Sequence, residues 1–349
     1  MQKPNFETLH IIAAARRSHN MFRGLTVTKS DDGVVSASIS QLDDSFLPEE
    51  GEVTIKVHYA GLNYKDGLCL NGLGALIRDY PRIPGVECAG EVLESRDERY
   101  KPGEKVVMTG WRFGEIWHGG FAEKAKVKAD WLVPLADGLS LRQSMILGTA
   151  ALTAILGLQA LEKCGITKDS GEVLVTGAAG GVGSLSVLLL AAHGYEVAAV
   201  SGRIKEAGAY LTALGAQTLV PRAELAEPAK KPLESARWAG CIDNVGGPML
   251  GRIIGQLKYG GTVASIGNAG GNDLPASILP FLLRGVNVLG IDSVFQPYQS
   301  CVNGWNRLVA EFPLDRLEEM ATEITLDELP EAGKKILEGQ TKGRWIIAL

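Results

Sequence analysis

Residues 175–184 read Val-Thr-Gly-Ala-Ala-Gly-Gly-Val-Gly-Ser and lie between a short apolar run and a segment rich in Leu and Ala. This order is typical of a strand, a tight glycine turn and a helix. Glycine lets the backbone turn sharply and approach a ligand closely, and the N–H groups at a helix start favour an anion such as a pyrophosphate. The string predicts a dinucleotide-binding fold, although Ala178 stands where the usual pattern has its first glycine. An ordinary strand–turn–helix is the alternative.

The end of the next predicted strand, at residues 196–200, indicates which dinucleotide binds. It is followed by Ser201, Gly202 and Arg203. An NAD site usually places Asp or Glu near this point, to bind the ribose 2′-hydroxyl. A hydroxyl, a glycine and a guanidinium instead suit a 2′-phosphate, because Arg offers planar, charge-assisted contacts. The sequence therefore predicts NADPH, and the alternative leaves Arg203 as a solvated surface residue.

Composition limits the remaining classes of function. The chain has 349 residues, of which 46% are hydrophobic and 21% charged, which fits a soluble globular protein of about two domains. A net charge of −5 gives no support for nucleic-acid binding. Five cysteines without a Cys-x-x-Cys pair argue against a disulfide framework or a structural zinc lobe, and favour a reducing compartment. Because no run of about 20 apolar residues is evident, we expect no membrane span.

The pattern of apolar residues and turns in the sequence changes near residue 147. Residues 21–146 contain short apolar runs separated by Gly and Pro turns, which indicates an irregular β-rich domain. Residues 147–295 alternate between strand and helix patterns, and residues 296–349 are expected to rejoin the first domain. Residues 1–20 are interpreted as a disordered extension, because their arginines follow the apolar stretch, which is the wrong order for a secretory signal.

Six strands are predicted in the second domain, which makes it a doubly wound parallel α/β sheet. They are expected at residues 172–176, 196–200, 218–220, 240–243, 262–266 and 286–291. Such sheets bind ligands outside the carboxyl ends of their strands. The candidate contacts there are Asn244, Val245, Gly267, Asn268, Asp292 and Ser293.

Longer strings of residues carry a family resemblance from about residue 21 to the last residue. They are Leu-Asn-Tyr-Lys-Asp at 62–66, Pro-Gly-Val-Glu-Cys-Ala-Gly at 84–90, Thr-Gly-Trp at 109–111, Asp-Trp-Leu-Val at 130–133, Gly-Thr-Ala at 148–150, Trp-Ala-Gly at 238–240, Leu-Leu-Arg-Gly at 282–285, Asp-Ser-Val at 292–294 and Gly-Arg at 343–344. With the glycine loop and residues 200–203, they resemble the zinc-independent medium-chain dehydrogenase/reductases. Within that superfamily the chain is similar to the NADPH-dependent acryloyl-CoA reductases, a quinone oxidoreductase-like group.

The resemblance implies a Rossmann domain and a GroES-like catalytic domain without a metal. Zinc alcohol dehydrogenases of the superfamily carry an early Cys and a Gly-His-Glu motif, and here those positions hold Asn63-Tyr64 and Gly85-Val86-Glu87. Catalytic zinc needs about three protein ligands. The chain departs from the group at Glu87-Cys88, Ala151-Leu152 and Trp117-His118, which bears on the substrate side.

The activity implied is hydride transfer from NADPH to the β-carbon of acryloyl-CoA and protonation of the α-carbon, giving propionyl-CoA. Tyr64 is the candidate acid and Asn63 an amide donor; the alternative is that Tyr64 only packs against the nicotinamide while solvent supplies the proton. The cofactor contacts implied are Tyr64, Thr149, Ala179, Gly180, Gly181, Val182, Gly183, Ser201, Gly202, Arg203, Arg222, Asn244, Gly267, Asn268, Ser293 and Arg344. For Asn244, a simple helix cap is the alternative.

Some neighbouring residues have plainer interpretations. We expect Lys65 and Asp66 to form an ion pair, His118 to be hydrogen-bonded rather than a proton carrier, and Cys88 to be a small apolar filler. The cations Arg78, Arg82, Lys101 and Arg112 are available for CoA phosphates, and none is assigned.

The expected partner is therefore a small acyl-CoA substrate, without nucleic acid or membrane. We expect a cytoplasmic homodimer, a state that the resemblance implies through the edge strand near residues 286–291. The rival interpretations are a quinone or enone reductase on the same scaffold and a non-catalytic NADPH-binding protein.

Overall fold

The computed structural model of the protein describes residues 21–229 and 231–349. The extension predicted at residues 1–20 lies outside the described residues. The chain divides into two compact units. The β-rich unit comprises the residues up to Leu135 with Glu323–Glu338 and Ile346–Leu349, and the α/β unit comprises Ala136–Thr322 with Gly339–Trp345.

Strands and helices are numbered in chain order. The strands are β1 (Met21–Lys29), β2 (Val35–Asp43), β3 (Val53–Leu62), β4 (Glu87–Ser95), β5 (Lys105–Thr109), β6 (Lys124–Val127), β7 (Leu132–Pro134), β8 (Val173–Val175), β9 (Val197–Ser201), β10 (Thr218–Pro221), β11 (Trp238–Asp243), β12 (Leu257–Ser265), β13 (Asn287–Gly290), β14 (Ala321–Thr325) and β15 (Arg344–Ala348). The helices are α1 (Tyr64–Leu70), α2 (Leu141–Lys163), α3 (Gly181–Ala192), α4 (Ile204–Ala213), α5 (Ala223–Ala226), α6 (Gly247–Gly255), α7 (Leu279–Arg284), α8 (Tyr298–Glu311) and α9 (Leu329–Leu337).

One mixed sheet forms the β-rich unit, in the order β14-β15-β3-β4-β5-β7, with β6 paired to β3. The strands β1 and β2 form a separate antiparallel pair. In β3 the alternating Val53, Ile55 and Val57 are buried, as their period of two predicts. The last strand of the chain, β15, pairs beside β3, so a strand near the C-terminus completes a sheet that the N-terminal third begins.

Six strands form the sheet of the α/β unit, in the order β10-β9-β8-β11-β12-β13. All neighbouring strands in it are parallel. This is the doubly wound order, in which the chain direction across the sheet reverses between β8 and β11. The predicted Rossmann sheet is confirmed, with each of its six strands within a few residues of its expected place.

Helix α2 begins at a capping box formed by Ser140 and Gln143. Its regular geometry is interrupted at Gly148, whose φ of 51° and ψ of −159° are not helical. Contrary to the expectation from sequence, α2 is long and apolar enough to cross a membrane by length and composition. However, 83% of its most apolar window is buried inside the protein, as in the core helix of a globular unit.

The division of the structure differs from the predicted boundaries at 146/147 and 295/296. Residues 136–146 lie in the α/β unit because they lead into and form the first segment of α2, which begins at Leu141. Residues 296–322 lie there too, since α8 packs on α2 and Arg307 of α8 pairs with Glu162 of α2 at 3.0 Å. Side-chain packing between these helices was not visible in the strand and helix pattern.

Candidate functional site

The glycine loop joins β8 to the first turn of α3. Gly177 takes a positive φ of 58°, and the Gly180 N–H donates to its carbonyl oxygen at 3.0 Å. A Cβ atom at residue 183 would lie only 2.3 Å from that same oxygen, so glycine allows α3 to pack directly on the loop. The first-turn N–H groups of α3 point out of the helix start, where an anion binds.

The alanine that departs from the usual glycine pattern is accommodated without strain. Ala178 is fully buried and its N–H donates to Val200 O at 3.1 Å. The left-handed conformation falls on Gly177 instead. The loop therefore keeps the strand–turn–helix geometry despite the missing glycine.

Residues that follow β9 and β10 lie together around Ser201, the last residue of β9. The Ser201 hydroxyl accepts the backbone N–H of Arg203 at 3.0 Å, and the backbone N–H of Arg222 donates to Ser201 O at 3.0 Å. The Arg222 guanidinium lies against Gly202, with its Cζ 2.8 Å from where a Cβ would stand. Predicted residues 201–203 and 222 are thus brought together, in an arrangement that suits a phosphate monoester.

A late segment of the chain closes this end of the α/β unit. Arg203 donates from Nη2 to Thr341 O at 2.6 Å, and the Gly343 N–H donates to Ala179 O at 3.1 Å. The segment therefore contacts both the glycine loop and Arg203, the arginine predicted to bind the 2′-phosphate. The role of Thr341 could not be predicted from the sequence, because it acts through its backbone carbonyl oxygen, which every residue type carries.

Arg344 is buried, with 1% of its surface exposed. Its Nε donates to Ile146 O at 3.0 Å and its Nη2 to Met145 O at 3.2 Å. Its Nη1 would lie 3.3 Å from a Cβ on Gly181, so the guanidinium also lies beside the start of α3. Arg344 thus forms hydrogen bonds with backbone carbonyl oxygens of α2 just before its interruption at Gly148. The contact of Arg344 with the cofactor stays a prediction.

The helix-cap alternative for Asn244 is wrong. The N-cap of α6 is Gly246, without a side-chain cap bond. Asn244 instead donates from Nδ2 to Thr176 O at 2.8 Å.

Asp243 accepts hydrogen bonds from the Thr176 hydroxyl at 2.7 Å and from the Gly246 N–H at 2.9 Å. Burial raises the pKa of the Asp243 carboxyl. The sequence analysis did not single out Thr176 and Asp243. A polar residue at the end of an apolar strand is the signal that could have identified them.

The other predicted strand-end residues follow β11, β12 and β13. Gly267 approaches Asn244 closely, since a Cβ there would lie 2.4 Å from Asn244 O. The Thr153 hydroxyl lies 2.6 Å from Thr149 O and 2.8 Å from Ser293 Oγ, which joins these two predicted residues. Asn268 donates to Asn272 at 2.6 Å on an exposed turn. Their cofactor contacts stay predictions.

In the β-rich unit, Asn63 and Tyr64 start helix α1. Asp66 completes a capping box with Asn63, accepting the Asn63 N–H at 2.8 Å. The other oxygen of this buried carboxylate accepts the Val86 N–H at 2.9 Å. Tyr64 is 41% exposed. One carboxylate therefore joins the segment at Asn63 to the segment at Val86, and the Tyr64 side chain remains open to solvent.

The expected ion pair between Lys65 and Asp66 is corrected by the structure. Lys65 pairs with Glu115, Nζ to Oε1 at 3.2 Å, and Arg112 pairs with the same carboxylate, Nε to Oε2 at 3.0 Å. Asp66 is instead used by backbone N–H groups. Sequence adjacency misled here because neighbouring helix residues point in different directions.

His118 and Cys88 behave as packing residues. The His118 Nδ1 accepts the Ile83 N–H at 3.2 Å, and burial, with the nearby Arg82 charge, lowers the pKa of His118 to about 4. The imidazole is thus neutral at pH 7, which supports the hydrogen-bonded interpretation. Cys88 is fully buried on β4, and burial raises the pKa of its thiol, as suits a small apolar filler.

A metal centre needs several ligating side chains close together. Within residues 21–229 and 231–349, no group of three or more His, Cys, Asp or Glu side chains is arranged to hold a metal ion.

Comparison with known proteins places this geometry in a family. Residues 49–137 match the alcohol dehydrogenase GroES-like domain, and residues 181–306 match the zinc-binding dehydrogenase family. Over 328 residues, the chain is 55% identical to acrylyl-CoA reductase AcuI of Ruegeria pomeroyi, covering 94% of this chain and 99% of that protein. The chain belongs to the medium-chain dehydrogenase/reductase superfamily, in the acrylyl-CoA reductase group.

Two solved structures of this superfamily resemble the chain over nearly its whole length. The yhdH oxidoreductase from Salmonella enterica, in complex with NADP, is 46% identical with a TM-score of 0.91, covering 94% of this chain and 99% of that one. The Bacillus subtilis protein yhfP, with NAD bound, is 41% identical with a TM-score of 0.90, covering the same shares. The predicted family and its two-part fold are confirmed.

Proposed function

We propose that this medium-chain reductase catalyses the NADPH-dependent reduction of the C=C bond of acryloyl-CoA, giving propionyl-CoA. The observation that carries the proposal is the 55% identity, over almost the full length of both chains, to an acrylyl-CoA reductase. Such chemistry needs no metal in principle, because positioning, an oxyanion donor and a proton source are sufficient.

The residues of the α/β unit fit NADPH. The start of α3 at Gly181, with Gly180 before it, suits the pyrophosphate. The Ser201 hydroxyl and the guanidinium groups of Arg203 and Arg222 suit the 2′-phosphate, because no carboxylate follows β9 at residues 201–203. The relative with bound NADP supports this choice.

NADPH, when bound, supplies a hydride for the β-carbon of the substrate. The α-carbon then needs a proton, and the Tyr64 hydroxyl is our candidate donor, since it is exposed at the start of α1. Asn63 beside it carries an amide that can donate to the developing thioester oxyanion. If Tyr64 only packs against the nicotinamide, solvent supplies the proton.

The test follows the decay of NADPH absorbance with acryloyl-CoA, crotonyl-CoA and a benzoquinone in parallel. We expect turnover with acryloyl-CoA and weaker turnover with the longer crotonyl-CoA. Activity with the quinone alone would remove the acyl-CoA proposal. Tight NADPH binding without turnover of any of the three would support a non-catalytic binding protein.

A quinone or enone reductase is the second candidate function. It is favoured by a relative described as the putative quinone oxidoreductase YhfP of Bacillus subtilis, 41% identical over 94% of this chain. The same parallel assay separates the two, because a quinone carries neither a thioester nor phosphates.

We also propose a homodimer formed through β13. This strand lies at the edge of its sheet and presents unpaired backbone groups. Leu282 and Leu283 of the preceding α7 are exposed apolar residues. Light scattering should give twice the chain mass of 37.2 kDa, and Leu282→Glu should lower it. A monomeric mass for the unaltered protein would remove this proposal.

Finally, we propose a cytoplasmic location. The five cysteines are free thiols, and free thiols persist in a reducing compartment. Fractionation of cells with an antibody against the chain tests this. Recovery in a secreted or membrane fraction would contradict it.

A further inference from the structure

We propose that Arg112 and Lys65, on the surface of the β-rich unit, bind the phosphate groups of the acyl-CoA substrate. This inference rests on the proposed function, since it assigns a subsite to that same substrate. Arg112 was one of four cations that the sequence offered for this task without a choice among them.

The two cations share one buried carboxylate. Glu115 Oε1 lies 3.2 Å from Lys65 Nζ, and its Oε2 lies 3.0 Å from Arg112 Nε. Only 3% of the Glu115 side chain is exposed, against 44% for Lys65 and 33% for Arg112. The negative charge is thus covered, whereas both positive charges reach solvent. The second nearby carboxylate, Asp66, is fully buried and accepts backbone N–H groups.

The cluster keeps donors for a ligand. In the part of the chain that the structure describes, Lys65 Nζ has a single acceptor, Glu115, although an ammonium carries three donors. Arg112 uses Nε for Glu115 and Nη2 for a long 3.5 Å contact with Leu76 O. Its Nη1 has no acceptor among these described residues. A phosphate group is an acceptor that both the planar guanidinium of Arg112 and the ammonium of Lys65 can bind.

The backbone of Arg112 is held in a conformation that L-residues rarely adopt. Trp111 and Arg112 have φ values of 53° and 55°. Trp111 is fixed by stacking on Trp131, with ring centroids 5.9 Å apart and planes 10° apart. The tryptophan pair and the Glu115 bond therefore hold the guanidinium in place despite an unfavourable backbone, as happens at ligand sites.

The position beside the candidate acid fits this substrate. Lys65 follows Tyr64 in the first turn of α1, so the cationic cluster adjoins the residue proposed to act on the acyl group. In acyl-CoA the neutral pantetheine arm separates the thioester from the phosphates. Because this arm is flexible, it can fold back and bring the phosphates to a cluster on the unit that carries Tyr64.

The other three cations suit the task less well. Arg82 is largely buried, with an exposed Asp79 as its nearest carboxylate at 3.9 Å. Lys101 lies on an exposed turn closed by Glu104. Arg78 is exposed, and within residues 21–229 and 231–349 no buried carboxylate pairs with it to fix its position.

The experiment compares acryloyl-CoA with acryloyl-pantetheine, which lacks the phosphates. In Arg112→Gln the KM for acryloyl-CoA should rise about tenfold, because a charge-assisted bond to phosphate is lost. The KM for acryloyl-pantetheine and for NADPH should stay within about twofold of the unaltered enzyme. Lys65→Gln should act in the same direction, Arg112→Lys should keep most of the preference for CoA, and Lys101→Gln is the matched control.

The outcomes separate the subsite from the function. An equal rise of both KM values in Arg112→Gln and Lys65→Gln would show that the cluster only holds α1, and would overturn the subsite while leaving the reductase proposal intact. An unaltered enzyme that ignores acryloyl-CoA but reduces a quinone would overturn the function. Should Arg112→Gln not fold, loss of the CoA preference in Lys65→Gln alone supports the subsite, and an unchanged preference there overturns it.

Discussion

At the scale of single residues, the choice of cofactor depends on two arginines, Arg203 and Arg222. In the structure Arg203 donates to Thr341 O, whereas Arg222 lies across Gly202. Binding of a 2′-phosphate would give both guanidinium groups a charged acceptor, and a 2′-hydroxyl would not. The discrimination between NADPH and NADH should therefore depend on these two side chains.

We expect Arg203→Ala and Arg222→Ala each to raise the KM for NADPH by about tenfold or more, since each loses a charge-assisted bond. The KM for NADH should change little. Initial rates with both nucleotides measure the effect. Lys168→Ala, at an exposed cation that precedes the amino end of β8, is the control. An unchanged NADPH KM in both variants would leave the arginines as surface residues.

Tyr64 is tested by removing one oxygen atom. Tyr64→Phe should lower kcat by about 10²-fold if the hydroxyl donates the proton, because general acid catalysis contributes about that much. The KM for NADPH should change little, since the ring remains. Tyr259→Phe, on an exposed tyrosine, is the matched control. A near-normal kcat would assign Tyr64 to packing and the proton to solvent.

His118 makes stability depend on pH in a predictable direction. Its pKa is lowered from 6.5 to about 4 by burial and by the Arg82 charge, so the unfolded chain binds the proton more tightly than the folded one. The stabilising difference is complete above about pH 6.5 and is lost as the pH falls towards about 4. The melting temperature should fall more steeply over this range than in His118→Gln. Parallel curves would contradict the assignment.

At the scale of elements, the contact between α3 and the glycine loop is the tightest constraint on the cofactor site. Gly183→Ala would place a methyl group 2.3 Å from Gly177 O. Overpacking of this kind costs about 1–3 kcal/mol, and displacement of α3 should also raise the KM for NADPH. Urea unfolding and NADPH titration measure the two effects.

The control for this variant is Gly157→Ala in α2, where the nearest atom to the new methyl group lies 3.4 Å away. This change should be neutral or stabilise by up to about 1 kcal/mol, because alanine favours a helix interior. If both variants unfold alike, close packing at residue 183 is not the constraint.

Strands and helices whose apolar residues recur with a clear period were predictable from the sequence. The hydrogen-bond and ion-pair partners of side chains were not. The six parallel strands and the glycine turn follow from apolar runs and glycine spacing, which act locally. The partner of Lys65 could not be found that way, because Glu115 lies 50 positions further on. The bonds from Arg344 to the carbonyl oxygens of Met145 and Ile146 were likewise not predictable, because they join residues about 200 positions apart.

At the scale of the whole molecule, the reactivity of the cysteine thiols indicates whether both units are folded. Cys69, Cys88, Cys241 and Cys301 are buried, and burial raises the pKa of each of these thiols. Cys164 is the one partly accessible cysteine among the described residues. Ellman's reagent should therefore label about one thiol rapidly in the native protein and all five in denaturant. Rapid native labelling of several thiols would contradict the described burial.

The connection between Arg203 and Thr341 spans 138 positions of the chain, and this has a consequence for synthesis. A nascent polypeptide that has emerged only as far as α6 contains the glycine loop and both arginines. It still lacks the carbonyl that orients Arg203, the amide that meets Ala179, and the buried Arg344. We therefore expect the growing chain to bind NADPH poorly on the ribosome. Saturation with nucleotide should begin only once translation has delivered the final turn before β15.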